Sequence, residues 1–333
     1  MNLKQSTYRR DLTFTLRNYL CDMGKEHVTT TILRGLKRPQ KHIPSMFFYD
    51  GIGSKLFEEI TRLPEYYPTR TEKQLLRQLA RVLCDDLSRH NIVEIGSGDC
   101  SKISILLGAM PPERWRTLRY TPVDVSQDAI QESADHLQRQ FPGLRIEGIV
   151  ADFTRHLHLI PNGGKRFFCF LGSTLGNLSV KEAEQFFLDL GSIMFRGDSL
   201  LLGVDMIKPF HVLEKAYNDT RGVTADFNRN ILKVVNRLIG TDFDPQAYVH
   251  RAFYNQGKNR IEMHLEAMKD MEVSCPAIPL QIMIRKGETI HTENSHKYTH
   301  DHVRDLAERG GLKIEKSLTD ENRWFSLIHL SRA

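Results

Sequence analysis

The sequence has few cysteines, and none of them are arranged to staple the chain or to ligate a metal. There are five in 333 residues (Cys21, Cys84, Cys100, Cys169 and Cys275), an odd number with no Cys-x-x-Cys pair. A chain of this size does not need disulfides to hold a core, so they read as free thiols in a reducing compartment. No apolar run approaches the roughly 20 residues of a membrane helix. The N-terminal MNLKQSTYRRDLTF has no apolar segment of a secretory signal. The expectation is a cytoplasmic protein with no membrane partner. A strong excess of one charge is lacking too. Forty-six Lys and Arg against 41 Asp and Glu give a net charge of +5, too thin a surplus over so long a chain to indicate nucleic-acid binding. Internal repeats and low-complexity tracts are absent. The Walker pattern of a phosphate-binding loop is also missing, which disfavours kinase-like and ATPase chemistry.

What is present is an ordinary globular composition, 40% hydrophobic and 26% charged. At about 150 residues per domain the length suggests two domains, or one with a large insertion. The first 90 residues read as helical and loop-rich. Thr69 and Glu72 have the spacing of a capping box ahead of Leu75, Leu76, Leu79, Val82 and Leu83. Arg34, Lys37, Arg38 and Lys41 surround Pro39 and read as a solvated loop. From Asn91 the pattern changes to short apolar runs alternating with helical periods: NIVEIGSG, SKISILLGAM, YTPVDV, DAIQESADHLQRQF, RIEGIVADF, RFFCFLGS, KEAEQFFLDLGSIM and SLLLGVDM. Strands alternating with helices of this length imply a parallel sheet with right-handed crossovers, buried on both faces. Residues 209–240 then carry two helical patterns, the second marked by Phe227, Ile231, Val235 and Leu238. Strand-like AYVHRAFYN and NRIEMHLEAM follow, then a strand pair in QIMIRKGETIHTE, a helix in HDHVRDLAERGG, and an antiparallel pair, LKIEKSL and RWFSLIHLS.

The strongest local signal is Glu94-Ile95-Gly96-Ser97-Gly98, a glycine turn between a strand and a helix, with Asp124 closing the next strand. A dinucleotide fingerprint wants a third glycine where Ser101 stands. S-adenosylmethionine (SAM) needs no pyrophosphate cradle, only a close backbone approach and a carboxylate for the ribose hydroxyls. Asp124 supplies that carboxylate, while Asp152 and Phe153 after the third strand suit an adenine amino group and ring. SAM is favoured over NAD on these features. After the fourth strand stands FLGSTLGN, at the edge of the crevice where a substrate would sit. The Asn/Asp-Pro-Pro-aromatic tetrad of enzymes that methylate base amines is not there, a second argument against a nucleic-acid partner.

At this point a resemblance becomes specific. Phe48-Tyr49-Asp50, Gly53-Ser54, Leu56-Phe57-Glu58, Ile60-Thr61 and Leu63-Pro64-Glu65-Tyr66-Tyr67-Pro68-Thr69-Arg70-Thr71-Glu72 are similar to the signature of the histidine-specific Nα-methyltransferases of ergothioneine biosynthesis. The similarity continues through EIGSGDCSK, PVDVS, ADF, FLGSTLGN, AYND, GVTADFNRN, NRIEM and HTENS, over roughly residues 40 to 330. It implies three methyl transfers from SAM to the α-amino group of free L-histidine, giving the betaine hercynine. It also implies a Rossmann-like class I SAM-dependent methyltransferase α/β core with a smaller α+β substrate domain. The core is expected over 61–206 and 296–333, and the substrate domain over 1–60 and 207–295. Gly96, Lys102, Asp124, Asp152 and Phe153 fall at cofactor positions; Tyr49, Tyr66, Gly172, Asn177, Tyr217, Met263, Glu293 and Ser295 fall at substrate positions. Asn177 and Tyr217 would hold the α-carboxylate, and Glu293 and Ser295 the imidazole. Tyr49 and Gly172 would lie near the amine, with Tyr49 the candidate weak base.

The residues carry their own argument. Glu293 and Ser295 are two apart, so on an extended segment they point to one side, where a carboxylate and a hydroxyl can pair with two imidazole nitrogens. Each residue also has a plainer reading. Tyr66 and Tyr67 could plug a loop, Met263 could fill the core, Asn177 could cap a helix, Glu293 and Ser295 could be solvated, and Lys102 could be a surface lysine. His291, His296 and His300 raise zinc, but no Cys cluster or HExxH accompanies them and no metal is expected. Alternatives to histidine methylation are an Nα-methyltransferase for another amino acid such as tryptophan, and a non-catalytic SAM-binding protein. The expected partner is a small molecule, and the expected state a monomer.

Overall fold

The computed structural model describes residues 6–9, 13–20, 25–87, 89–275 and 281–332. The chain forms two compact units: residues 1–21, 68–207 and 297–333, and residues 22–67 with 208–296. Cys100, Cys169 and Cys275 are free thiols; Cys21 and the side chain of Cys84 lie outside the described residues.

The first unit is built on a nine-stranded sheet in the order Ser6–Arg9, Phe14–Asn18, Arg145–Val150, Arg119–Asp124, Asn91–Ile95, Arg166–Phe170, Ser199–Asp205, Phe325–Arg332 and Leu312–Thr319. The six strands from Phe14–Asn18 to Ser199–Asp205 are mutually parallel, and the last pair is antiparallel. Neighbouring residues of each strand serve opposite faces. Ile92, Tyr120, Ile146, Phe167 and Leu201 join Leu75, Leu76, Leu79, Ile130 and Leu137 from helices Tyr67–Leu87 and Gln127–Gln140. Val93, Val123, Ile149, Phe168 and Leu200 join Ala183, Phe186, Leu190, Val303 and Leu306 from helices Val180–Ile193 and His300–Arg309. Helices therefore cover both faces, as expected for parallel strands that are apolar throughout. The strand order reverses between Asn91–Ile95 and Arg166–Phe170, which marks the crevice where ligands of open α/β sheets bind.

The second unit is α+β. Strands Lys41–His42, Thr289–His296, Arg260–Ala267 and Tyr248–Asn255 form one sheet in that order, and Met271–Val273 with Ile282–Ile284 form a ribbon. Helices Lys25–Leu36, Gly51–Thr61, Phe210–Tyr217 and Val223–Ile239 complete it.

Five expectations are corrected. Residues 1–60 do not belong whole to the second unit: Phe14–Asn18 pairs parallel with Arg145–Val150, and the missing side chain at Gly148, whose Cβ would lie 2.7 Å from Leu16, makes room for it. The other junctions fall at 67/68, 207/208 and 296/297. Thr69 and Glu72 form no capping box, because the helix already begins at Tyr67. The basic stretch is loop only between Leu36 and Lys41; Arg34 lies in the last turn of a helix and Lys41 pairs with Glu288 from a strand. QIMIRKGETIHTE supplies two strands to two different sheets rather than one hairpin. On Val223–Ile239 the apolar stripe ends at buried Ile239, while Leu238 is exposed.

Candidate active site

The glycine turn after Asn91–Ile95 is bent through two left-handed residues, Gly96 (φ 66°) and Gly98 (φ 47°), a conformation that disfavours any side chain. The space beside Gly96 is bounded by Thr174 and the Phe153 ring, which a Cβ there would meet at ordinary contact distance. Asp124 ties the turn to the next strand: Gly98 N and Ser126 N donate to its two oxygens, each at 2.9 Å. Burial pushes its carboxyl up, against the pull of these backbone N–H groups. Each oxygen keeps a second lone pair that vicinal hydroxyls can use. Ser97 Oγ is buried without a partner in the same turn.

Asp152 caps the short helix Phe153–His156. Thr154 N and Thr154 Oγ1 both donate to its Oδ1, at 2.9 and 2.6 Å. Phe153 meets Phe170 edge to face at 5.3 Å. These residues fit SAM: two bare glycines give close approach, two acids follow successive strands, an aromatic face lies beside the second, and a buried hydroxyl still needs a polar partner.

Lys102 is not a surface lysine. Its Nζ lies 3.5 Å from Glu72, with the lysine side chain 16% exposed. Nearby carboxylates hold its ammonium charged, overcoming burial, which alone would lower its pKa. Gly172 (φ 75°) and Ser173 (φ 56°) form a left-handed turn at the end of Arg166–Phe170. A Cβ on Gly172 would stand 2.6 Å from Lys102 Nζ. Asn177 ends the 3₁₀ turn that follows and caps nothing. The cap of Val180–Ile193 is Ser179, in a capping box with Glu182.

In the second unit, Met263 stands opposite Glu293 and Ile261 opposite Ser295 across the sheet, and one extra residue, Thr292, bulges between Glu293 and His291. Ile261, Met263, Leu265 and Ile290 are all buried at 1% exposure or less, so this shared face is the core face. Glu293 and Ser295 lie on it, 9% and 4% exposed, and the solvated alternative is overturned. Tyr217, the last residue of Phe210–Tyr217, donates its hydroxyl to Ser295 Oγ at 2.8 Å. The Tyr66 ring meets Tyr217 edge to face at 6.1 Å. Tyr49 packs in the same manner on Phe57 and Phe227. Tyr67 receives Lys208 Nζ on its hydroxyl at 2.7 Å.

The structure also makes pairings that the sequence offers no reason to expect. Glu72 accepts the Gly172 amide across 100 residues of chain, and Tyr120 donates to Glu94 at 2.5 Å. His250 Nε2 donates to the Tyr217 carbonyl at 2.8 Å. Its Nδ1 accepts from Asn228, whose Oδ1 in turn meets the Thr292 hydroxyl at 2.7 Å. No local pattern announces such pairings. Of the three histidines raised for zinc, His296 closes a strand of the second unit and His300 opens a helix of the first. Glu262, His264 and His291 approach one another on the other face of the four-stranded sheet. Glu262 is there already engaged by Arg260 and Asn255.

A doubly wound sheet with a glycine turn, two strand-end acids and an aromatic ring at its switch point defines a nucleoside-binding α/β enzyme of the SAM-dependent methyltransferase class. Residues 28–332 match the model of the histidine-specific, SAM-dependent methyltransferases, and the chain belongs to that family. It is 40% identical over 306 residues to the histidine N-alpha-methyltransferase of Mycobacterium tuberculosis, covering 92% of this chain and 95% of that one. It is likewise 40% identical over 301 residues to the histidine N-alpha-methyltransferase of Mycolicibacterium smegmatis, covering 90% and 94%. Ergothioneine biosynthesis protein 1 of Schizosaccharomyces pombe is 27% identical over 298 residues, 85% of this chain and 38% of that one. No helix among the described residues is long and apolar enough to cross a membrane.

Proposed function

We propose that the protein transfers three methyl groups in succession to the α-amino group of free L-histidine, giving hercynine, the first step towards ergothioneine. The observation that carries this reading is the polar pair Glu293 and Ser295, both buried on the core face of one sheet, with Tyr217 bonded to Ser295. A carboxylate and a hydroxyl on one buried face can pair with a ligand that has complementary polar edges, and an imidazole offers two ring nitrogens for that pairing. A site of this kind rejects rings that lack such groups by about 10⁴, because its own polar groups would be left unpaired. Phenylalanine is therefore excluded strongly. Tryptophan, with one ring N–H, is the nearer competitor.

In the assignment that follows, Asp124 holds the ribose hydroxyls, Asp152 and Phe153 the adenine, and Lys102 the carboxylate of SAM, with Gly96 giving the backbone approach. Glu293 and Ser295 hold the imidazole, with Met263 beside them. Asn177 and Tyr217 take the α-carboxylate, and Gly172, Tyr49 and Tyr66 surround the amine. Bound SAM supplies an electrophilic methyl on a sulfonium. The chain's part is chiefly alignment of a neutral amine for in-line attack. The proton leaves to water, with Tyr49 as the neighbouring weak base. The quaternary product keeps its own carboxylate as counter-charge and can rest against tyrosine faces, worth about 0.5–2 kcal/mol.

The test is incubation with SAM and each of the twenty free amino acids, read by mass. Three added methyls on histidine alone are expected. In the same assay Glu293→Ala lowers kcat/KM for histidine by about 10²-fold or more, the cost of a lost charge-assisted bond and an exposed polar partner. No methyl gain on histidine, or a Glu293→Ala enzyme as active as the parent, overturns the reading.

A further inference from the structure

We propose that Glu72 is the positioning residue of the cofactor side, its carboxylate fixing at once the Gly172 amide and the Lys102 ammonium. This rests on the reading of Lys102 as the ligand of the SAM carboxylate.

Glu72 is 0% exposed. A charged carboxylate so placed must be paired, because burial strips it of water. Its partners are few and directed. Gly172 N lies 2.7 Å from Oε1 and 3.0 Å from Oε2, and Lys102 Nζ lies 3.5 Å from Oε2. The chain makes room for this arrangement twice by leaving out a side chain. A Cβ on Gly203 would fall 2.1 Å from Glu72 Oε1, and one on Gly172 would fall 2.6 Å from Lys102 Nζ. Gly203 is the one residue without a side chain in Ser199–Asp205, a strand buried along its whole length. Strand interiors disfavour glycine unless another group must approach closely. Here the approaching group is the Glu72 carboxylate.

The carboxylate does nothing for its own helix. It caps no terminus, and the same helix packs through Leu75, Leu76 and Leu79. A buried ion pair is weak support for stability, since apolar residues of similar volume do as well. What Glu72 does hold are two groups at the switch point, the first amide of the Gly172–Ser173 left-handed turn and the one ammonium beside it. Without that carboxylate the lysine has four flexible bonds and no fixed station. With it, the ammonium is held directly over the Gly172 backbone.

The experiment is a double-mutant cycle on SAM affinity, measured by calorimetry on the full chain without histidine, so that it does not depend on which acceptor is methylated. Lys102→Met and Glu72→Gln are each expected to weaken SAM binding about tenfold or more, the range for a charged hydrogen bond. The double variant should be no more than about twofold weaker than Lys102→Met alone, because residues acting through one contact are not additive. Gly203→Ala, which keeps every charge and drives a Cβ chiefly into the carboxylate, with the Phe325 ring at 3.3 Å, should reproduce the Glu72→Gln loss. It also carries the test if Glu72→Gln does not fold. Additive losses, or a Gly203→Ala protein that binds SAM like the parent, overturn the positioning role. Unchanged binding by Lys102→Met instead overturns the assignment of Lys102 to the cofactor, a separate and distinguishable failure.

Discussion

Glu94 shows how far a single letter of a motif can be understood from its neighbours in the chain. It stands just before the glycine turn and is 1% exposed. Burial pushes its carboxyl up to about 8, against the opposing pull of the Tyr120 hydroxyl and the Lys102 charge. The acid is visible in the sequence, but its tyrosine partner, on the adjacent strand and 26 residues away, is not. The raised value has a consequence for stability. The folded chain keeps this proton between about 4.5 and 8, where the unfolded chain has lost it. Stability from this group is therefore fully present below the unfolded value and falls as pH rises through the window, levelling off above the folded value. Glu94→Gln removes the titration and keeps an acceptor for Tyr120. Urea midpoints of parent and variant, measured from pH 5 to 9, should diverge in the variant's favour as pH rises to about 8 and then run parallel. The full separation is on the order of a few kcal/mol. Equal slopes in both proteins would show that Glu94 is ionised in the fold at neutral pH.

At the scale of elements, periodicity reads well where one residue type faces one environment. The alternation of apolar strands with helices marks the sheet because each strand is buried on both faces, and Ile130, Ala134, Leu137 and Phe141 all sit inward as their spacing requires. It fails where a partner from elsewhere decides. Phe14–Asn18 mixes polar and apolar residues, and its pairing with Arg145–Val150 on one side and Ser6–Arg9 on the other makes it a strand. Glu72 has the spacing of a cap and serves a different loop. The bulge at Thr292 is the sharpest case, because it lets Ile290 and Glu293 share the core face although they are three apart. A bulge re-aims side chains, and this one is pinned by a chain of polar groups. A carbonyl can only accept, so His250 carries its proton on Nε2 towards Tyr217 and offers Nδ1 to Asn228. Burial lowers the pKa of that imidazole and favours this neutral form. Asn228 then receives the Thr292 hydroxyl. Thr292→Val keeps the shape and leaves Asn228 Oδ1 short of a donor, at a cost of about 1–3 kcal/mol. The expected result is a lower urea midpoint and a severalfold higher KM for histidine, with SAM affinity unchanged. A loss of SAM affinity as large as the rise in KM would remove the bulge from the acceptor side.

The whole molecule carries a net charge of +5 on 333 residues, and the two substrates assigned to it need little help from that charge. Histidine with a neutral side chain is a zwitterion, and SAM carries a single net positive charge, which the protein's own sign would repel weakly rather than attract. Steering by a large field is therefore not part of how the substrates arrive, and recognition falls to short-range groups held inside each unit. Charged groups that act while buried are screened far less than exposed ones. Glu72, Glu293 and Asp205 with Lys297 are all buried, whereas several exposed pairs, such as Arg62 with Glu58 and Arg304 with Asp301, are contacts between residues three or four apart, of little energetic weight. Raising the salt from about 0.05 to about 0.5 M shortens the screening length to a few Å. It should change kcat/KM for histidine by no more than about twofold and leave SAM affinity within the same margin. An enzyme that lost activity steeply over that range would require an exposed electrostatic contribution to binding that neither the composition nor the buried placement of these carboxylates supplies.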